Sequence, residues 1–136
     1  MDVEADAAFI RLVRRAAAIE LARAAADYQP SSADDASAAR KLVVDALESV
    51  IDAAGDVGDD AAFTALSALR SAVARDLAVR GARLAGLRAF VFGAPLPALT
   101  LADRLYDDAS RADELARQAD PAHPLFMPVS FKALSS

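Results

Sequence analysis

The chain has 136 residues, a formal net charge of −5 and no cysteine. This length suits one domain, or one domain with a small appended module, and the lack of cysteine excludes a disulfide framework and thiol chemistry. The acidic balance argues against general affinity for the DNA backbone, which needs clustered lysine and arginine.

The chain begins MDVEAD, which is acidic where a secretory signal needs basic residues. No run approaches the roughly 18 apolar residues of a membrane span. We therefore expect a chain that is made and kept in the cytoplasm, with no membrane span.

The first predicted helix covers residues 2–27, and Pro30 disfavours its continuation. Apolar residues at three-four spacing predict its buried face: Phe9, Leu12, Ala16 and Ile19, widened by Val13 and Leu21. The same helix carries a basic cluster of Arg11, Arg14, Arg15 and Arg23. Nearby acids offset this cluster and no aromatic stacking platform accompanies it, so a solvated or protein-contacting face is favoured over nucleic-acid contact.

Two more helices are predicted before Gly86. Ser32 is the predicted N-cap of the second and Asp59 or Asp60 that of the third. Their expected core faces are, on the second helix, Ala36, Ala39, Val43, Leu47, Val50 and Ile51, and, on the third, Phe63, Leu66, Leu69, Val73 and Leu77. Three long helices with short connections predict an antiparallel three-helix bundle over residues 1–86.

The pattern changes in residues 87–136. A short apolar strand, residues 87–92, precedes an amphipathic helix, residues 97–106, on which Leu101 and Leu105 share a face. A polar turn follows. In it, Ser110 is the expected N-cap of the next helix, and Asp113, three residues later, is the expected acidic partner of a capping box. A second short helix, residues 111–120, and a final strand, residues 130–134, complete a β-α-α-β order. The predicted fold class is therefore mainly α, with a helical bundle and a small β-α-α-β module.

The β-α-α-β order resembles a LysM module. The sequence of residues 87–136 is similar to the C-terminal part of the phage Mu-type DNA circularisation protein family, whose members are tail and baseplate components. The motifs that carry this resemblance are Leu96-Pro97-Ala98-Leu99, Arg104-Leu105-Tyr106, Asp108 to Glu114, and His123-Pro124-x-Phe126-x-Pro128. A looser match upstream involves Asp76, Leu77, Arg80, Gly81, Ala82 and Leu84.

The chain departs from that family at three points. Family members are longer and carry an N-terminal domain. Asp107 stands where the family has glycine in a Tyr-Gly-Asp turn, and Val129-Ser130 replaces a Pro-Gly turn. Glycine adopts positive φ freely, whereas aspartate and serine do so at a cost.

The resemblance implies a non-enzymatic virion protein that joins the tail tube to the baseplate hub. The expected partners are other tail or baseplate proteins and further copies of the chain in a symmetric assembly, and the expected location is the virion tail, assembled in the host cytoplasm. Two alternatives stay open: a peptidoglycan-binding LysM-type module, and a helical tail-assembly adaptor or chaperone.

No catalytic, metal-binding or cofactor-binding residue is predicted. His123 is the only histidine, so a metal site lacks partners, and a turn residue that packs or caps locally is favoured. Asp107, Asp108, Asp113 and Glu114 could form a glycosidase pair, but such a pair needs a buried acid in a cleft, and acids are favourable near helix N-termini in any case.

The predicted protein-interface residues are Tyr106, Phe126, Met127, Phe90 and Phe92. For Tyr106, a place in the core of the β-α-α-β module is favoured over a contact with a partner. Phe126 and Met127 could each lie in that core or be exposed side chains that anchor a partner. The neighbouring loops, residues 93–96 and 119–128, are apolar and proline-rich, with few donors for sugar hydroxyls. They favour a connector over a glycan-binding module.

Overall fold

The structure, a computed structural model, describes residues 2–135. Over these residues the chain is mainly helical, with five α-helices and one two-stranded antiparallel sheet. It divides into two compact units between Leu84 and Ala85. The first unit contains α1 (Val3–Asp27), α2 (Ala33–Asp56) and α3 (Asp60–Gly81), and the second contains β1 (Leu87–Val91), α4 (Ala98–Tyr106), α5 (Ala112–Ala119) and β2 (Ser130–Leu134).

Side-chain caps begin the three long helices. Asp2 accepts from the backbone N–H groups of Glu4 and Ala5 at α1. Ser32 accepts from Asp35 N–H at 3.0 Å, and Asp59 accepts from Ala62 N–H at 3.1 Å. The first N–H groups of a helix lack intrahelical partners, so each cap stabilises its helix by about 1 kcal/mol. The predicted caps Ser32 and Asp59 are confirmed.

The core of the first unit lies mainly on α2. Its buried residues include Val43, Leu47, Val50 and Ile51, as the apolar spacing predicted. Leu66 and Leu77 of α3 join them, with Leu69 and Val73 partly buried. Phe63 was expected on this face, but it is exposed and its ring lies beside Gly55.

The predicted buried face of α1 is wrong. Phe9 and Leu12 are 65% and 63% exposed, and Val13 and Ile19 are exposed as well. The side chains that α1 buries are Ala18, Ala22 and Ala25, with Leu21 partly buried beside them. Alanine allows a close helix approach, so this helix packs through its smallest side chains and leaves its large apolar residues outside.

Arg80 connects the end of α1 to α3. Its guanidinium donates to the carbonyl oxygens of Ala25, at 2.8 Å, and Tyr28, and it pairs with Asp76 at 2.6 Å. The last carbonyls of a helix lack intrahelical partners and carry partial negative charge, so a guanidinium stabilises them.

Gly81, the next residue, lies against α2. A Cβ atom added there would sit 2.7 Å from the Cβ of Ala36, which is closer than two carbon atoms can approach. Two residues of the Arg-Gly segment that carries part of the resemblance therefore have structural roles within the first unit.

The second unit is built on a two-stranded antiparallel sheet. β1 pairs with β2 so that Leu87 lies opposite Leu134 and Phe90 lies opposite Phe131. α4 and α5 supply Leu101, Ala102 and Leu115 to a core that also contains Phe131 and Ala133. The strands and both short helices agree with the predicted β-α-α-β order, and Leu101 is buried as expected, with Leu105 partly buried against the same core.

The turn after α4 differs from the predicted one. Asp107 ends α4 with a φ of 52°, in the left-handed region. Asp108, and not Ser110, is the capping residue: its Oδ1 accepts from the Ser110 N–H at 2.9 Å and from the Ser110 hydroxyl at 2.6 Å. A short 3-10 turn, Ala109–Arg111, then leads into α5, which has no side-chain cap.

Candidate protein-interaction surface

The inner face of the sheet is aromatic. Phe92 stacks on Phe131 with ring centroids 5.8 Å apart, and Phe90 lies 6.2 Å from the same ring. Phe90 and Phe92, both predicted interface residues, are half-buried and pack against the core of the second unit. Their rings pack the sheet on that core and are only partly available to a partner.

The segment between α5 and β2, residues 120–129, folds back on the loop after β1. Three backbone hydrogen bonds join the two: Ala98 N to Pro124 O at 2.8 Å, Met127 N to Leu96 O at 3.0 Å, and Phe92 N to Val129 O at 2.7 Å. This return segment therefore has a defined path. It carries the other two predicted interface residues of the loops, Phe126 and Met127.

The side chains of Phe126 and Met127 differ in exposure. Met127 is fully buried and belongs to the core of the second unit, so it offers no surface to a partner. Phe126 is 70% exposed. Of the two possibilities that the sequence left open, Met127 is core and Phe126 is an exposed side chain.

Phe126 has exposed apolar neighbours along the joined loops. Leu125 precedes it, and Leu99 lies in the first turn of α4 beside the Ala98–Pro124 hydrogen bond. Val91 precedes Phe92, and Val129 supplies the carbonyl oxygen that accepts from the Phe92 N–H. All four side chains are exposed. We refer to Val91, Leu99, Leu125, Phe126 and Val129 together as the loop surface. A surface with several exposed apolar side chains marks a site of protein contact more often than a single exposed side chain does.

Sequence reasoning missed four members of the loop surface. A signal for Val91 was present, because side chains alternate along a strand and Val91 falls between the inward-facing Phe90 and Phe92. Leu99 lies two residues before the buried Leu101, a spacing that places the two on different sides of a helix. Leu125 and Val129 had no such signal, since their exposure follows from the return path of residues 120–129.

His123 holds the turn that presents Phe126. Its Nδ1 accepts from the Leu125 N–H at 3.1 Å, and its carbonyl oxygen accepts from the Phe126 N–H at 2.9 Å. Its ring centroid lies 6.3 Å from that of Phe126. The prediction of a local capping role for His123 is confirmed.

Tyr106 is a structural residue of the second unit with a partly exposed edge. Its hydroxyl donates to the Leu134 carbonyl oxygen at 3.0 Å, and burial raises its pKa. The Arg111 guanidinium lies 3.8 Å from the centre of the Tyr106 ring and forms two hydrogen bonds with Glu114. These contacts join α4, α5 and the end of β2, which agrees with the core alternative for Tyr106.

Two carboxylates near α5, Asp108 and Glu114, are poorly suited to general-acid chemistry. A hydrogen bond from the Ser110 hydroxyl lowers the pKa of Asp108, and hydrogen bonds from Arg111 lower the pKa of Glu114. A general acid needs a raised pKa to stay protonated near neutrality. Within residues 2–135, no three His, Asp or Glu side chains are grouped so as to hold a metal ion.

Two arginines of the basic cluster predicted on α1 form local ion pairs. Arg15 forms a 2.9 Å salt bridge with Asp59, and Arg23 lies 3.6 Å from Glu20. Helices long and apolar enough to cross a membrane are absent from the described part of the chain.

No protein-family model matches this chain, and no curated protein is significantly similar to it in sequence.

Proposed function

We propose that this chain is a structural protein of a phage tail or a related contractile particle, and that it joins the tail tube to the baseplate hub. In this proposal α1, α2 and α3 form an antiparallel bundle, the second unit is a LysM-like module, and the chain is related to the phage Mu-type DNA circularisation proteins. This relationship is supported by the sequence motifs that carry the resemblance, among them Leu96 to Leu99 and Arg104 to Tyr106.

The observation that carries the proposal is the loop surface. Its five members are apolar, and the path of the loops beneath them is held by backbone hydrogen bonds and by prolines. Stiff loops lose little conformational entropy on docking, and apolar side chains suit the dry centre of a protein interface. The loop surface therefore favours other tail or baseplate proteins as partners.

The same surface argues for a connector over a peptidoglycan-binding module. Sugar rings present many hydroxyl groups, and each hydroxyl buried without a hydrogen-bond partner costs free energy. Val91, Leu99, Leu125, Phe126 and Val129 supply no side-chain donor or acceptor. His123, a polar side chain of the same loop, uses Nδ1 to accept from the Leu125 N–H.

The proposal is tested by substituting the loop surface in the genome of the particle that encodes this chain. Phe126→Glu with Leu125→Glu places two charges on exposed positions, so the second unit should stay folded while particle assembly fails. Val79→Glu is the matched control, since Val79 is exposed on α3, outside the loop surface, and it should give complete particles.

Specific retention of the purified protein on peptidoglycan, together with complete particles from a strain lacking residues 93–136, would refute the connector role. Particles that assemble but fail to penetrate the cell wall would then point to the glycan-binding alternative.

A further inference from the structure

The sheet of the second unit has an outer edge on β1 whose backbone groups face away from β2. The hydrogen bond from the Phe92 N–H to the Val129 carbonyl oxygen fixes the pattern of the ladder. In an antiparallel pair, hydrogen-bonded positions alternate with positions whose backbone groups point away from the partner strand. Ala89 and Val91 are offset from Phe92 by an odd number of residues, so their N–H and C=O groups lie on the outer edge of β1.

The opposite edge of the sheet is protected, whereas this edge of β1 is not. α5 packs against β2, and the Tyr106 hydroxyl donates to the outward-facing carbonyl oxygen of Leu134 at 3.0 Å. β2 also carries Lys132, a residue type that discourages pairing at a sheet edge. β1 packs mainly against β2 and contains neither lysine nor proline. Its outer edge is therefore suited to pairing with one more extended strand.

The sequence of β1 is complementary to itself in one antiparallel register. In a two-fold arrangement about Phe90, Ala89 of each copy lies opposite Val91 of the other, and both positions have outward-facing backbone groups, so the two pairs form four hydrogen bonds. On the exposed face, Val91, which is 76% exposed, is covered beside the small Ala89. On the other face, Phe90 meets Phe90, and Arg88 lies opposite Phe92, so that a guanidinium meets an aromatic ring and no like charges are opposed.

We propose that β1 pairs with β1 of a second copy of this chain, antiparallel about Phe90, to form a continuous four-stranded sheet. A second copy fits this edge because one isologous contact completes the outer edge of both copies and places a small side chain opposite each exposed valine. The contact is short, below about 1,200 Å² in total, so the association is reversible and depends on concentration. It does not depend on the proposed function, and Val91 is the one member of the loop surface that takes part.

The first test is the mass of the full chain in solution by sedimentation velocity over a wide concentration range. The wild type should approach twice 14.2 kDa as concentration rises. Ala89→Pro removes the outward N–H group at a position where an edge strand tolerates proline. By symmetry it removes two of the four proposed hydrogen bonds, so the dissociation constant should rise about tenfold or more.

Ser130→Pro is the matched control. Ser130 lies opposite Val91 at the start of β2, so its N–H group also points away from the neighbouring strand, but on the protected edge of the sheet. Proline is tolerated at the first residue of a strand, and this variant should keep the wild-type mass profile. Val91→Lys is a second test variant that changes only an exposed side chain. It should keep the thermal midpoint of the wild type and weaken the association.

The second test determines the register, using the absence of cysteine in the chain. In the proposed register the Cα atoms of Ala89 and the opposite Val91 are about 5.5 Å apart, within the range of a disulfide. An equimolar mixture of Ala89→Cys and Val91→Cys should therefore form a mixed disulfide dimer with oxidised glutathione. Ala89→Cys alone should link poorly, because its two copies are displaced by about 7 Å along the strands in addition to the strand spacing of about 5 Å.

A wild type that stays monomeric at every concentration would overturn the proposal. So would a dimer that Ala89→Pro and Val91→Lys leave unchanged, or one that Ser130→Pro weakens as much as Ala89→Pro does, since the contact would then lie elsewhere on the molecule. Linkage of Ala89→Cys alone in preference to the mixture would refute the register about Phe90.

Discussion

Asp107 holds a left-handed backbone conformation, with a φ of 52°, where α4 ends. An L-residue pays about 1–2 kcal/mol in this region, and aspartate somewhat less, whereas glycine adopts it freely. We expect Asp107→Gly to raise the free energy of unfolding by up to about 1 kcal/mol, measured by chemical denaturation.

The matched control for this substitution is Asp103→Gly. Asp103 is exposed in the middle of α4, where glycine costs up to about 1 kcal/mol relative to a good helix former. Opposite signs for the two variants would support the conformational explanation. Destabilisation of both would contradict it.

Asp35 is the hydrogen-bond acceptor of the connection between α1 and α2. Its Oδ2 accepts from the Ser31 N–H at 2.8 Å and from the Tyr28 hydroxyl at 2.7 Å. The hydrogen bond from the Ser31 N–H, and then that from Tyr28, lower the pKa of Asp35 below its ordinary value of 3.8. The ionised carboxylate is thus stabilised by folding.

The sign of the pH dependence follows from that lowered pKa. The contribution of Asp35 to stability is present above about pH 4 and is lost as the pH falls through its folded-state pKa. We expect Asp35→Asn to lower the thermal midpoint at pH 7 and to approach the wild type near pH 2. A constant difference between the two proteins over this range would show that Asp35 ionisation does not contribute.

At the scale of an element, the contact between α2 and α3 at Ala36 and Gly81 is testable. Gly81→Ala would place a Cβ atom 2.7 Å from that of Ala36. We expect it to lower the free energy of unfolding by about 1–3 kcal/mol through overpacking, although alanine is the better helix former.

Two variants separate the close contact from a general effect of alanine. Gly93→Ala has open space around the added Cβ and should be nearly neutral. Ala36→Gly removes the opposing methyl group, so the double variant should recover part of the loss. An additive double variant would rule out the contact as the cause.

α4 provides a matched pair of leucines. Leu101 is 1% exposed and Leu99 is 61% exposed on the same helix. An unpaired buried charge costs several kcal/mol, so Leu101→Asp should unfold the second unit, and limited proteolysis should then cut after about Gly86 while sparing the first unit. Leu99→Asp should keep wild-type resistance. Equal resistance of both variants would mean that the helix face is assigned wrongly.

The elements show what the sequence could predict. The caps Ser32 and Asp59, the ends of the helices and the two strands depend on residues within a few positions, so local patterns identified them. The stripe on α1 was a different case: Phe9, Leu12, Ala16 and Ile19 indicate an amphipathic helix, but spacing carries no information on whether the partner lies in the same chain. The face of α1 that packs within its own unit consists of alanines, which have little area to bury.

The candidate site was predictable only in part, for the same physical reason. Phe126 and Met127 are adjacent and both apolar, and a hydrogen bond from Met127 N to Leu96 O decides which one turns inward. That contact joins residues far apart in sequence. Phe90 and Phe92 were found because aromatic residues in a short strand are conspicuous, yet their shared face packs inward.

At the scale of the whole molecule, the chain presents two exposed apolar surfaces on two compact units. One is the loop surface of the second unit, and the other is the outward stripe of α1. A connector in a symmetric particle needs a surface for its own copies and another for a different protein. The proposed docking through the loop surface meets the second of these needs.

The proposed function requires that this chain is a structural component of the assembled particle tail. Quantitative mass spectrometry of purified, complete particles tests it most directly, with total lysate of the producing cells as the reference. We expect the chain to be present in particles at a fixed ratio to the other tail and baseplate proteins. Its presence in the lysate and absence from complete particles would refute a structural role in the tail and would favour an assembly adaptor or chaperone.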